Sequence, residues 1–277
     1  MVHVRRTACA LVLAMLLLSL HRPGATAAQQ YQPTVGQQGK DVIWVPTPEN
    51  LVTAMLDMAK LTAKDYVIDL GSGDGRTVMA AAKRGARALG VEYNPDMVGL
   101  SRANALKAGV ADKASFVQAD IFETDFSQAT VLTLYLLPSL NMKLRPKILN
   151  MKPGTRVVSH AFDMGDWDAD QSVTVEERTA YLWIVPAKVA GVWTWPKAEL
   201  TLSQAHQKIS GSLKLDSQSL RLANAKLQGN RISFAVGDSL DAMREYSGLV
   251  VGNTMQGTVK IPKGPEVKWT AVRRAAR

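Results

Sequence analysis

Three acidic residues, each behind an apolar run, carry most of the chemistry that can be read directly from this chain. Asp69 ends the run Tyr66-Val67-Ile68, Glu92 closes Leu89-Gly90-Val91, and Asp120 follows Phe116-Val117-Gln118-Ala119. Between the first two lie Gly71, Ser72, Gly73 and Gly75, and then an Ala-rich stretch of helical character from Thr77 to Lys83. Glycine is required where a chain turns with positive φ, or where backbone must approach a ligand with no Cβ between them. A strand, a glycine turn and a helix N-terminus together make a cradle for a nucleotide or cofactor. The dinucleotide fingerprint spaces its glycines G-x-G-x-x-G, whereas here they alternate as G-x-G-x-G behind Asp69. Taken as bare residues, the glycines could also mark an ordinary turn, with Glu92 and Asp120 as helix-flanking caps.

The alternating form, with Glu92 closing the next strand, resembles motif I of class I S-adenosylmethionine-dependent methyltransferases. Ahead of it stand Val45-Pro46-Thr47-Pro48, Leu51-Val52 and Met55-Leu56. After it come Asp74-Gly75-Arg76, Gly90-Val91-Glu92-Tyr93-Asn94, Leu132-Thr133-Leu134-Tyr135-Leu136 and Gly154-Thr155-Arg156-Val157-Val158-Ser159-His160. This series is similar to the protein-lysine methyltransferase family that includes archaeal broad-specificity enzymes and the mitochondrial enzymes acting on the ATP synthase c-ring protein. The resemblance runs from Asp41 to Trp167. It implies that Asp69, Gly71, Ser72, Gly73, Gly75, Glu92, Asp120 and Thr47 bind S-adenosylmethionine. In that reading Gly71 and Gly73 pass under the methionine end, Glu92 accepts the ribose hydroxyls and Asp120 reads the adenine.

Methyl transfer is an in-line displacement, so such an enzyme mainly positions a nucleophile and sheds one proton. A lysine amine must be neutral to attack, and a desolvating mouth depresses its pKa without a strong base. The fourth strand ends Leu134-Tyr135-Leu136-Leu137-Pro138. Many amino methyltransferases carry an Asp/Asn-Pro-Pro-aromatic motif there, and its absence argues against amide-type methylation of Asn, Gln or a nucleobase. Tyr135 becomes the candidate that orients the amine, although a strand tyrosine is commonly core. His160 is a candidate proton acceptor near pH 7; the alternative is a hydrogen-bonded strand-end histidine. No metal-ligand spacing is visible, and of the four histidines two, His3 and His21, lie in the first residues.

These groups need elements to hold them. Leu51, Val52, Met55, Leu56 and Ala59 recur at helical spacing from Pro48 to Lys60, with Thr47 read as an N-cap before Pro48. Strands are predicted near 66–70, 87–92, 114–118, 130–136 and 155–161, and helices near 75–84, 95–108 and 140–150. That alternation implies an α/β fold with a Rossmann-like, doubly wound, mostly parallel sheet. Ser172–Glu176 and Tyr181–Pro186 complete it as an antiparallel pair. From Gly191 the pattern is strand after strand with turn signals about every ten residues, ending with Met255–Ile261, which suggests an antiparallel sandwich or half-barrel. This small all-β module resembles exported lipocalin-like modules. The expected division is 28–40 a linker, 41–187 the methyltransferase domain and 188–277 the β module.

Residues 1–27 read as a signal peptide. Arg5-Arg6 precede an apolar run from Ala8 to Leu20 and a small-x-small site at Ala25 and Ala27. The run is short for a membrane span of about 20 residues; an uncleaved anchor is the alternative. The only cysteine, Cys9, sits inside that run, so a mature chain has neither disulfide nor thiol nucleophile. Export conflicts with the cytosolic supply of S-adenosylmethionine. The net charge of +9 falls to +6 without Arg5, Arg6 and Arg22. That suits acidic partners or an anionic membrane surface, while no nucleic-acid-binding motif accompanies the scattered basic residues. The acceptor expected is a protein lysine, with a small molecule or lipid as the rival from the same fold, and an inactive exported binding protein as the rival from another class.

Overall fold

The computed structural model describes residues 31–275. The expected signal peptide and the start of the expected linker therefore lie outside the described residues. Among the described residues no helix is long and apolar enough to cross a membrane.

Two sheets organise the chain. The first is built from β1 (Tyr66–Leu70), β2 (Arg87–Glu92), β3 (Ala114–Gln118), β4 (Val131–Leu134), β5 (Arg156–His160), β6 (Gln171–Val175) and β7 (Arg178–Ile184). Their order is β3-β2-β1-β4-β5-β7-β6. The first five run parallel, and β7 and β6 return antiparallel on the β5 side. Helices α1 (Glu49–Met58), α2 (Arg76–Lys83), α3 (Pro95–Lys107) and α4 (Pro138–Ile148) cover it. The central strands are apolar on both faces because both are covered, and two cores result. One packs Leu51, Met55 and Leu56 of α1 with Val78 and Val98; the other packs Leu144 and Ile148 of α4 with Trp167 and Trp183.

Strand order reverses between β1 and β4, and the carboxyl ends of strands flanking such a reversal frame a crevice. The glycine loop and Tyr135 project at that point. Helix α3 starts as expected from Pro95: Asn94 caps it by accepting from the backbone N–H of Asp96 and Met97 at 2.9 and 3.3 Å. Helix α1 departs from expectation. Its N-cap position is Pro48, with no side-chain cap, and Thr47 faces elsewhere.

The second sheet is antiparallel throughout. It comprises β8 (Gly191–Trp195), β9 (Ala198–Ala205), β10 (Lys208–Leu215), β11 (Gln218–Arg221), β12 (Ala223–Gln228), β13 (Arg231–Val236), β14 (Arg244–Val251), β15 (Thr254–Lys260) and β16 (Glu266–Arg273). In the order β11-β10-β9-β8-β16-β15-β14-β13-β12, the first and last strands of the module lie side by side, through Val272↔Thr194 and Arg273↔Trp193. The result is a near-barrel. Two details differ from the pattern of the sequence. Strand β16 lies beyond Met255–Ile261, the last strand expected; the turn through Pro262, Gly264 and Pro265 precedes it, and Trp269 joins the core. The segment Leu220–Leu227, which reads as one strand in the sequence, is divided between β11 and β12, with Asn224 at positive φ and a register shift between Ala223 and Lys226. The interior is filled by Trp193, Phe234, Tyr246, Met255 and Trp269.

Candidate functional site

A cavity of about 560 Å³ opens at the carboxyl ends of β1, β2 and β4. Its floor is the glycine loop. The backbone N–H groups of Gly71 and Ser72 both donate to Val91 C=O, at 2.8 and 3.1 Å, which ties the loop to β2. From beneath, Ser101 Oγ of α3 donates to Gly73 C=O at 2.7 Å and Asn104 Nδ2 to Asp74 C=O at 3.1 Å. Glu92 closes the same loop: its Oε2 accepts from Gly73 N–H at 3.0 Å and its Oε1 from Asn94 N–H at 2.9 Å. A carboxylate held by two backbone donors keeps further lone pairs for ligand hydroxyls.

Asp69 is buried at the end of β1, where its Oδ1 accepts from Thr133 Oγ at 2.6 Å. Burial pushes its carboxyl up from 3.8 to about 7, with the charges of Glu92 and Asp74 adding to the shift and Thr133 opposing it. A cation arriving here would restore the charged form. Ser72 Oγ, also buried, has no hydrogen-bond partner among the described residues and packs against Gly90, where a Cβ would lie 2.5 Å from it. Cavities of a few hundred cubic ångströms with an apolar lining and a few converging polar groups suit a nucleoside-sized ligand.

Of the residues singled out from sequence, Asp69, Gly71, Ser72, Gly73, Glu92, Asp120, Thr47 and Tyr135 all line this cavity. Gly75 and His160 do not. Gly75 has φ +83°, and a Cβ there would lie 2.7 Å from the Phe116 ring and 3.0 Å from Ser101, so packing against β3 and α3 demands the glycine. His160 is buried beside the site. Its Nδ1 shares a 3.0 Å hydrogen bond with Thr47 Oγ1, and its ring lies 3.8 Å from that of Tyr135. Burial, with the nearby Arg178 charge, pulls its pKa down to about 4. The ring is therefore neutral at pH 7 and a weak base, held at the strand end by its hydrogen bond to Thr47.

Residues that the sequence pattern places in a linker form a wall of the site. The segment from Gly36 to Trp44 folds back on itself: Gly36 N–H donates to Trp44 C=O, and Trp44 N–H to Gln37 C=O, both at 2.9 Å. Lys40 of this strap pairs with Asp120 at 2.5 Å and sits 4.6 Å from the Tyr93 ring centroid. Lys40 holds the Asp120 carboxyl below its usual range. Asp120, expected to read an adenine, is thus already engaged by the strap. Trp44 and the clamp of Arg76 on Asp74 also escape sequence reasoning. Arg76 Nη2 donates to Asp74 Oδ2 at 2.6 Å and Nη1 to Thr47 C=O at 3.0 Å. The one sequence signal is an isolated apolar run, Val42-Ile43-Trp44-Val45, after a polar stretch.

Residues 69–171 match the family model of the ANTKMT methyltransferase domain. A protein-lysine N-methyltransferase of Saccharolobus islandicus (strain REY15A) is 44% identical over 151 residues, spanning 52% of this chain and 94% of that one. The adenine nucleotide translocase lysine N-methyltransferase of Mus musculus is 36% identical over 119 residues, spanning 42% of this chain and 51% of that one. The chain thus spans about half the length of that relative. Among solved structures, an RNA methyltransferase from Salinibacter ruber in complex with S-adenosyl-L-homocysteine is 52% identical, with a TM-score of 0.51. It aligns with 52% of this chain and 96% of that one.

Proposed function

This chain belongs to the protein-lysine N-methyltransferase family of S-adenosylmethionine-dependent enzymes, and from that membership we propose that it methylates lysine side chains of a protein acceptor. The observation that carries the reading is the contrast between the two ends of one cavity. At one end the glycine loop, Glu92, Ser72 and Asp69 offer backbone and polar groups; at the other Tyr135, Leu137, Leu140 and Phe162 are uncharged.

The residues present fit the cofactor. Glu92 would take ribose hydroxyls, and Asp69 with Ser72 the methionine end, over a loop free of side chains at Gly71 and Gly73. When bound, S-adenosylmethionine supplies a sulfonium methyl that an amine lone pair can displace. The uncharged wall disfavours an ammonium and so favours the neutral amine, its proton leaving to water before attack. Tyr135 offers a hydroxyl to orient that amine.

Tritium from labelled S-adenosylmethionine, incubated with cell extract and the purified chain, is expected in protein bands, and acid hydrolysis is expected to yield methyl-lysine. Label in RNA would instead align the chain with the Salinibacter ruber enzyme as that protein is described. Label in extracted metabolites or lipids would favour the small-molecule reading. Binding without any transfer would favour an inactive binding protein; a micromolar Kd corresponds to roughly −8 kcal/mol.

We further propose that residues 1–27 export or anchor the chain, so that it meets its acceptor at or beyond a membrane surface. Sequencing the mature N-terminus after cell fractionation tests this; an intact Met1 on a cytosolic chain would overturn it.

A further inference from the structure

We propose that His160 is a positioning residue that sets the ring of Tyr135 at the acceptor end of the cavity and is itself set by Thr47. The proposal rests on the lysine-methyltransferase reading above and assigns the device that aligns the acceptor wall with the cofactor loop.

The geometry forms one continuous chain. Asn104 of α3 holds the backbone of Asp74 in the glycine loop, and the Asp74 carboxylate is gripped through two nitrogens of Arg76. The third nitrogen of Arg76 donates to Thr47 C=O at 3.0 Å. The hydroxyl of the same Thr47 meets His160 Nδ1 at 3.0 Å, and the His160 ring lies 3.8 Å from Tyr135 at a tilt of 32°. Phe162 meets Tyr135 as well, at 6.2 Å between centroids. Thr47 thus uses its carbonyl on the loop side and its hydroxyl on the acceptor side.

A general base must reach its proton and have a pKa near the working pH. His160 is 2% exposed and outside the cavity lining, which removes the reach. Its contacts are those of a spacer: a ring packed at a tilt against a ring, fixed by one hydrogen bond. In-line displacement is sensitive to placement, so a tilt of Tyr135 costs turnover while leaving the distant cofactor contacts intact.

The experiment uses the full chain and its Thr47→Val, Thr47→Ala and Thr47→Ser variants, with a synthetic lysine-containing peptide as acceptor. We expect kcat at saturating S-adenosylmethionine to fall about tenfold in Thr47→Val and Thr47→Ala. That loss is the size expected for one buried hydrogen bond. Thr47→Ser is expected to restore kcat. Nitrogen-15 NMR of the histidines gives a readout independent of any acceptor: the His160 ring stays neutral from about pH 5.5 to 8, and its Nδ1 signal moves in Thr47→Val and returns in Thr47→Ser. Unchanged kcat in a folded Thr47→Val, a His160 signal indifferent to Thr47, or a kcat that tracks titration of His160 near pH 6–7 would overturn the proposal. If the wild type transfers no methyl to lysine while the NMR coupling is as expected, the lysine reading fails and the positioning contact stands.

Discussion

Trp44 and Gly73 meet across the site so closely that a Cβ on Gly73 would lie 2.7 Å from the indole Nε1 and 3.1 Å from Cδ1. The strap is therefore seated on a loop residue that has no side chain. Gly73 also has φ +53°, where a β-branched residue is strained.

Gly73→Val is expected to abolish S-adenosylmethionine binding by displacing Trp44 and straining the loop, at a stability cost of about 1–3 kcal/mol. Calorimetry on the folded variant checks it. Undiminished affinity would mean that neither loop nor strap bounds the cofactor site.

Glu92→Ala removes an acceptor shared by the Gly73 and Asn94 N–H groups, as well as the proposed ribose contact. Affinity should weaken by about 1.5–3 kcal/mol, the range for hydrogen bonds to a charged group. Wild-type affinity in this variant would reduce Glu92 to a loop anchor.

Asp69 predicts two pH dependences of opposite sign. Its carboxyl is raised from 3.8 to about 7 by burial, so between those values the folded chain keeps a proton that the unfolded chain has released. The stability it contributes is complete below about pH 4 and is lost as pH rises to about 7. Asp69→Asn should flatten that part of the thermal-stability profile measured without ligand. Binding of the cationic cofactor favours ionised Asp69, so affinity should instead rise with pH and level off above about 7. Calorimetry at several pH values, in wild type and Asp69→Asn, reads both the slope and its loss.

A chain ending after Pro186 is expected to remain soluble and bind S-adenosylmethionine. The boundary between hydrophobic cores falls there: Val185 packs with Trp167 and Trp183, whereas Ala187 packs with Trp193. The two sheets meet mainly through polar and edge contacts, such as Ala187 N–H to Gly229 C=O, Lys208 with Asp168, and His206 stacked 5.8 Å from Trp167. Aggregation of the shortened chain, alongside one cooperative unfolding step for the full chain, would show that the barrel completes the enzyme body.

What the sequence determined by itself is local in origin. Apolar runs ending in Asp69, Glu92 and Asp120, alternating with helical periodicity, dictate strands buried on both faces and hence a parallel, helix-covered sheet. Positive φ at Gly71, Gly73 and Gly75 follows from residue type in a strand-to-helix turn. What only the tertiary structure decided is the identity of partners far apart in the chain. Thr47 looks like a helix cap beside Pro48, yet its hydroxyl is taken by His160, 113 residues away. Asp120 reads in the sequence as a lone acid at a strand end, and Lys40, 80 residues earlier, pairs with it. Gly75 looks like a ligand contact, yet Phe116 and Ser101 require it. Strand β16 gains its place through pairing with β8 and burial of Trp269. Periodicity and backbone preference act over a few residues and leave a pattern in the sequence. Hydrogen-bond and ring partners are chosen by packing, which brings distant segments together only once the sheet has formed.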